Sequence, residues 1–196
     1  MIAIVDYGAG NLNSVKKAFV HLGVDVAIVN TRELLLAADR IVLPGVGHFS
    51  ALRALDTLGL RAVLIEATRG RKPFLGICLG MQWLFEGSEE APGIAGAALF
   101  AGCCRQFPAS VKSPHVGWNS LDIRNGSRLF GGLASGPFVY YTHSFYAPVV
   151  AATSAATDYG LTFSGAVEQS NVFGVQFHPE KSGDAGLRIL KNFCEV

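Results

Sequence analysis

Through the first half of the chain, short apolar runs alternate with amphipathic stretches, and this order constrains the fold more than any other feature. IAIV is followed by a helical pattern through SVKKAFVHLG, then VDVAIV, a second helical pattern through TRELLLAA, and RIVLPG. Successive strands separated by helix-length crossovers imply parallel pairing, with helices covering the sheet. A helix over LRAVLIEATRG, a strand KPFLGI and a helix over CLGMQWLFEG continue the pattern. From Gly96 to Gly174 the rhythm changes to short β-rich pieces, including AALFAGC, FVYYTHSF and LTFSGAVE, divided by Gly, Pro and Ser-rich turns. A strand NVFGVQF and a helix over DAGLRILKNFC close the chain. The expected fold is a three-layer α/β architecture, flavodoxin-like, in which helices flank a mixed, mostly parallel sheet.

No linker, charge block or repeat interrupts the 196 residues, so one domain spanning 1–196 is expected. The 16 basic and 15 acidic residues nearly cancel, and no Lys/Arg run could form a phosphate-binding stripe, which argues against nucleic acid as a partner. MIAIVDYGAGNLNSV lacks a basic leader, and no apolar stretch approaches bilayer-spanning length, so a cytoplasmic location away from membranes is expected. The four cysteines form no CxxC pair and lack zinc-site spacing; no metal is expected, and Cys103, Cys104 and Cys194 read as small buried packing residues. No cofactor is expected either. Gly8-Ala9-Gly10 follows the first strand, but Asn13 replaces the third glycine of a dinucleotide fingerprint and VDVAIV ends at Asn30, where a ribose-binding acid would be needed.

Cys78 differs from the other cysteines because of its frame. Gly76-Ile77-Cys78-Leu79-Gly80 falls where the strand KPFLGI stops and a helix starts. Glycines two residues to either side permit a tight, strained strand-to-helix turn that projects the middle side chain. At a helix N-terminus, free N–H groups favour thiolate over thiol, and the N–H of Leu79 points where an oxyanion would develop on an attacked carbonyl. An isolated cysteine would read as packing; the glycine frame favours a nucleophile.

A nucleophilic cysteine needs a proton acceptor, and His178 is the leading candidate among the five histidines. It ends the strand NVFGVQF in His178-Pro179-Glu180, where proline forces its predecessor into extended backbone. Residues two apart then face the same way, so Glu180 can reach the imidazole, fix its tautomer and steady the imidazolium. His143 is a rival base, though it has no carboxylate near it in sequence. In Leu43-Pro44-Gly45-Val46-Gly47, either a plain turn or a segment presenting the N–H of Val46 or Gly47 as a second oxyanion donor fits the residues.

With LPGVG, GICLGMQ and HPE in order along the chain, the sequence resembles the class I glutamine amidotransferase glutaminases. It looks most like the glutaminase subunits of imidazole glycerol phosphate synthase, through DYGAGNLNSV at 6–15, LPGVGHF at 43–49, CLGMQ at 78–82, PHVGWN at 114–119 and HSFY from His143. These motifs cover the whole chain. The resemblance implies that Cys78 is the nucleophile, His178 the base and acid, and Glu180 its orienting partner. It implies further that Gln82 and the backbone around Ser144 and Phe145, next to His143, touch glutamine, and that ammonia passes to a (β/α)-barrel cyclase subunit in a heterodimer. That subunit would make imidazole glycerol phosphate and an aminoimidazole carboxamide ribonucleotide in histidine biosynthesis. The family has an aliphatic residue before the His-Ser pair and tyrosine after it, where this chain has Thr142 and Phe145, so the glutamine pocket is expected to differ in detail.

The chain carries no P-loop, metal cluster or second catalytic set that could use ammonia, which independently implies a partner. Trp118, with Asn119 beside it, fits an interface anchor, and a core tryptophan fits equally well. Two further readings remain at this stage: the glutaminase of another synthase (anthranilate, guanylate or pyridoxal phosphate), or a binding domain that keeps the fold without the activity.

Overall fold

The structure is a computed structural model that describes residues 1–124 and 126–196. Its first half follows the expected order: β1 (Ile2–Val5), α1 (Leu12–His21), β2 (Val26–Val29), α2 (Arg32–Ala37) and β3 (Arg40–Gly45). A 3-10 turn at Phe49–Leu52 leads into α3 (Arg53–Thr57), which the periodicity does not announce, and then come α4 (Arg61–Arg69), β4 (Phe74–Cys78) and α5 (Leu79–Gln82). The β-rich region contributes β5 (Gly87–Ser88), β6 (Cys103–Gln106), β7 (His115–Ser120), β8 (Asp122–Ile123), β9 (Phe138–His143), β10 (Phe145–Tyr146), β11 (Thr153–Asp158) and β12 (Thr162–Gln169). β13 (Val172–Val175) and α6 (Gly183–Glu195) follow.

The main sheet has eight strands in the order β2-β1-β3-β4-β13-β12-β11-β8. Its β2 to β13 side is parallel, and β12, β11 and β8 add antiparallel pairs, so the sheet is mixed as expected. The inner strands β1, β4 and β13 are buried along their whole length, which is why they read as unbroken apolar runs. Alternate residues serve opposite layers. Ile2, Ile4 and Val42 pack with Val15 and Phe19 of α1 and Ile189 and Phe193 of α6, whereas Ala3, Val5 and Ile41 pack with Leu35 of α2 and Val63 and Leu64 of α4. β7 and β9 form a separate antiparallel ribbon, and β10, β6 and β5 a small third sheet. No helix of the described residues is long and apolar enough to cross a membrane.

Several elements differ from the sequence expectation. The helix expected over CLGMQWLFEG stops after one turn, at Gln82. The carbonyls of Trp83, Leu84, Phe85 and Glu86 are taken instead by N–H groups of Gly96 to Phe100, a segment that crosses back over this stretch. The same bonds hold Ala97–Phe100 in irregular backbone, so the strand expected across AALFAGC begins only at Cys103. PHVGWN, despite its proline and glycine, is strand from His115 onward because it pairs residue by residue with β9. Cys103 is exposed rather than buried, since it lies on the outward side of β6, while Cys104 beside it is fully buried.

Candidate active site

Cys78 stands at the junction of β4 and α5 with φ 54° and ψ −107°, in the left-handed half of backbone space that a non-glycine residue adopts only under constraint. The glycines around it make the turn possible. A Cβ at Gly76 would run into the backbone of Gly80 and Met81, and a Cβ at Gly80 would run into the Leu43 carbonyl of the neighbouring β3. The expected glycine frame is therefore a steric requirement of three backbones meeting at one point. With only one turn of helix behind it, the sulfur gains little from a macrodipole, which grows with aligned peptide units; its charge partner is the imidazole of His178.

His178 arrives from the adjacent strand. β13 pairs with β4 and its chain continues through Gln176 and Phe177 to His178, whose backbone is extended, as Pro179 requires. The His178 N–H donates to the Tyr140 carbonyl at 2.9 Å, which ties the histidine to β9. Glu180 then reaches the ring through a 3-10 turn at Pro179–Lys181, not through extended backbone as expected, and its Oε1 lies 2.8 Å from Nδ1 of His178. Both side chains are 1% exposed. Burial alone would lower the basicity of His178, but hydrogen bonding and charge attraction from the Cys78 sulfur and the Glu180 carboxylate outweigh it and raise the pKa. The raised pKa favours the imidazolium form of His178, and its Nε2 is a buried atom lacking a well-aligned partner of its own.

A pocket of about 330 Å³ opens in front of the sulfur, and its lining includes Cys78, Leu79, Gln82, His143, Ser144 and Phe145, together with Gly47. Seven of the sequence-based candidates thus share one cavity, with His178 and Glu180 buried outside its lining. Val46 is 37% exposed and does not line the pocket. Gly47 does, because β3 pairs Gly45 with Cys78 in register and the next residues run past the turn. Gly45 is itself a close-packing position, where a Cβ would strike the Tyr7 hydroxyl and Leu79.

His143 is not placed as a base. Its Nδ1–H donates to the Phe145 carbonyl at 2.9 Å, and its Nε2 faces Nδ1 of His115 at 3.1 Å. Because a carbonyl only accepts, the proton order follows: Asn119 Nδ2 donates to His115 at 3.4 Å, His115 to His143, and His143 to Phe145. Burial keeps both rings neutral, lowering His143 to about 3 and His115 to about 4. Asn119 also donates to the Asp158 carbonyl at 2.9 Å, so its amide braces this network. Trp118, by contrast, is 54% exposed, which removes the core reading left open by the sequence.

Sequence reasoning missed two residues, Glu90 and Pro114. Glu90, whose Oε2 accepts the Phe49 N–H at 2.7 Å, places a carboxylate on the pocket wall; nothing local distinguishes it from Glu89. Pro114 and Thr142 also line the cavity. Thr142, the departure from the family pattern before the His-Ser pair, thus lies where the sequence places a difference in the pocket. Among the described residues, no cluster of His, Cys, Asp and Glu has the makings of a metal site.

A strained cysteine between close-packing glycines, a buried His-Glu pair on the adjacent strand and an amino-acid-sized pocket together supply the groups that thiol-dependent amide cleavage would need. The chain belongs to the class-I glutamine amidotransferase family, whose model matches residues 3–196. It is 47% identical over 198 residues to the imidazole glycerol phosphate synthase subunit HisH of Bacillus cereus, covering 100% of this chain and 95% of that one. The same identity relates it to the HisH subunit of Methanothermobacter thermautotrophicus, at 100% and 98% coverage. Among solved structures, a glutamine amidotransferase matches with TM-score 0.79 at 18% identity, covering 100% of this chain and 98% of that chain. PurLQS from Thermotoga maritima matches with TM-score 0.73 at 21% identity, covering 99% and 97%. At such identities these two likenesses speak for the fold.

Two outcomes follow for purified protein. Gly80→Ala forces a methyl group onto the Leu43 carbonyl and is expected to cost about 3 kcal/mol or more, read as a lower urea midpoint. The lowered His143 and His115 values mean that the unfolded chain, with histidines near 6.5, binds protons which the folded chain refuses. Their contribution to stability is complete above pH 6.5 and is lost as pH falls toward about 3 to 4. His143→Gln, whose amide can still donate to Phe145, should flatten the acid slope of unfolding free energy by about one proton.

Proposed function

We propose that this chain hydrolyses glutamine to glutamate and ammonia at Cys78 and delivers the ammonia to the cyclase subunit of an imidazole glycerol phosphate synthase. The observation that carries the reading is the juxtaposition at the β4–α5 turn: a strained cysteine facing the pocket, with the 2.8 Å His178–Glu180 pair behind it. The identity to HisH subunits across the whole chain supports this synthase over those for anthranilate, guanylate or pyridoxal phosphate.

In the proposed reaction the Cys78 thiolate attacks the side-chain amide carbon of glutamine, and the carbonyl electrons move onto oxygen. The N–H of Leu79 and that of Val46 or Gly47 stabilise the oxyanion. As the electrons return, the C–N bond breaks and the imidazolium of His178 protonates the leaving nitrogen, which departs as ammonia and leaves a γ-glutamyl thioester. His178, now neutral, takes a proton from water; the hydroxide oxygen bonds to the acyl carbon, the C–S bond breaks, and glutamate is released. Glu180 holds the ring through Nδ1 so that Nε2 carries the moving proton. Glu90 offers a counter-charge to the α-ammonium of the substrate.

The ammonia-using partner is a (β/α)-barrel cyclase forming a heterodimer with this single-domain chain in the cytoplasm. The outer face of the β7–β9 ribbon supports a docking surface, because Val116, Trp118 and Phe138 are all more than half exposed there and the ribbon runs to Pro114 and Thr142 at the pocket. A large exposed aromatic with a polar surround is a common energetic centre of an interface.

Cys78→Ser is expected to abolish release of glutamate from glutamine while leaving the circular dichroism spectrum and cyclase binding unchanged; undiminished glutaminase activity would refute the assignment. Trp118→Ala should weaken cyclase binding by tenfold or more in titration calorimetry without changing the thermal midpoint. Adding the cyclase with its ribonucleotide should raise glutamine hydrolysis above that of the lone chain, since the exposed, glycine-bounded Val46 leaves its peptide free to reorient.

A further inference from the structure

Gln176 has no solvent exposure and lies one residue beyond β13, two before His178, yet the proposed chemistry does not use it. Its backbone N–H is bound to the Gly165 carbonyl at 2.9 Å, which anchors the main chain on β12. Its side chain spans the floor of the site. Nε2 lies 3.6 Å from the Cys78 sulfur, and Oε1 lies 3.1 Å from Nε2 of Gln82. Gln82 Nε2 also sits 2.9 Å from the Phe145 carbonyl on the pocket wall.

The polarity of this chain is set by chemistry. A backbone carbonyl can only accept, so Gln82 must present its NH₂ group to Phe145. The second hydrogen of that same group then points at Gln176, which must answer with its oxygen. The carboxamide of Gln176 has one orientation left, with its own NH₂ group turned to the sulfur. Reversing either amide would set oxygen against oxygen or leave a buried donor unmatched. The Phe145 carbonyl is itself held by His143, so the sequence of donors begins on the substrate-facing wall and ends on the nucleophile.

We infer that Gln176 is a catalytic group that donates a hydrogen bond to the Cys78 thiolate, with Gln82 as the positioning residue that orients it. This rests on Cys78 as the nucleophile and extends that reading. An N–H aimed at sulfur favours the charged form over the thiol, because only the thiolate accepts strongly. Glutamine is the side chain this role requires: it donates at one end, accepts at the other, and carries no charge that would compete with the imidazolium of His178. The inference also revises the part played by Gln82, whose nitrogen is fully committed within the protein and leaves only its oxygen available to a ligand.

The test is the rate of Cys78 alkylation by iodoacetamide across a pH series, with the modified peptide identified by mass spectrometry. Alkylation requires no turnover, so it reports on Gln176 independently of whether the chain hydrolyses glutamine, which Cys78→Ser decides. Gln176→Leu is expected to slow alkylation about tenfold at the acidic end, a loss typical of one donor to an anion, and to converge on the wild-type rate at high pH, where the thiol is ionised without help. Gln176→Glu keeps the shape but replaces the donor with an acid, and should slow the reaction more than Gln176→Leu. Gln82→Met should give a smaller loss with the same convergence. Circular dichroism checks folding, and if Gln176→Leu fails to fold, the Gln176→Glu and Gln82→Met profiles decide. Alkylation profiles that match wild type at every pH in the folded variants, or a slowing that is uniform across pH, would overturn the inference and leave Gln176 as a packing residue.

Discussion

Three segments of backbone meet at the end of β4 with no room for a side chain between them, and the site depends on that contact. Gly76 lies against the start of α5, Gly80 lies against the Leu43 carbonyl of β3, and Gly45 lies against Tyr7 and Leu79. The turn so formed holds Cys78 in backbone geometry that costs about 1 to 3 kcal/mol where it is not otherwise enforced. The surrounding parallel strands, buried on both faces, are what enforce it. Release of that contact would let the cysteine relax into ordinary backbone and carry the sulfur away from the pocket.

Around this turn, two sets of polar groups converge, and within each the donor and acceptor chemistry of the partners fixes the orientation of the side chains. One set runs from Glu180 through His178 to the sulfur and supplies charge. Another runs from Asn119 through two neutral histidines to the Phe145 carbonyl, where it meets Gln82 and Gln176. Both reach the sulfur from the stretch of chain that continues β13, at Gln176 and His178, and the His178 N–H on the Tyr140 carbonyl ties that stretch to β9. The opposite shifts of the imidazoles in the two chains follow from their surroundings: burial among carbonyls and rings lowers His115 and His143, while the Cys78 sulfur and the Glu180 side chain outweigh burial at His178.

The sequence displayed this organisation unevenly. Strand and helix order in the first half was legible because period-two and period-3.6 apolar patterns reflect burial directly, and the glycine frame and the His-Pro-Glu step were legible because each encodes a local backbone demand. What was not legible was set by distant partners. α5 is cut short because carbonyls of residues 83 to 86 bond to residues 96 to 100. PHVGWN becomes strand only because β9 lies beside it. Glu90 looks like any surface acid until Phe49 is brought to it, and Gln176 looks like an ordinary polar residue at a strand end until Cys78 and Gln82 fold against it.

The most direct measurement is labelling with a glutamine analogue carrying an electrophile at the position of the side-chain amide, followed by peptide mass spectrometry. The expected result is a single adduct on Cys78, prevented by excess glutamine and strongly reduced in His178→Asn. An adduct on exposed Cys103 in place of Cys78, or labelling of Cys78 that glutamine does not prevent, would contradict the assignment of this pocket as the place where glutamine meets the nucleophile.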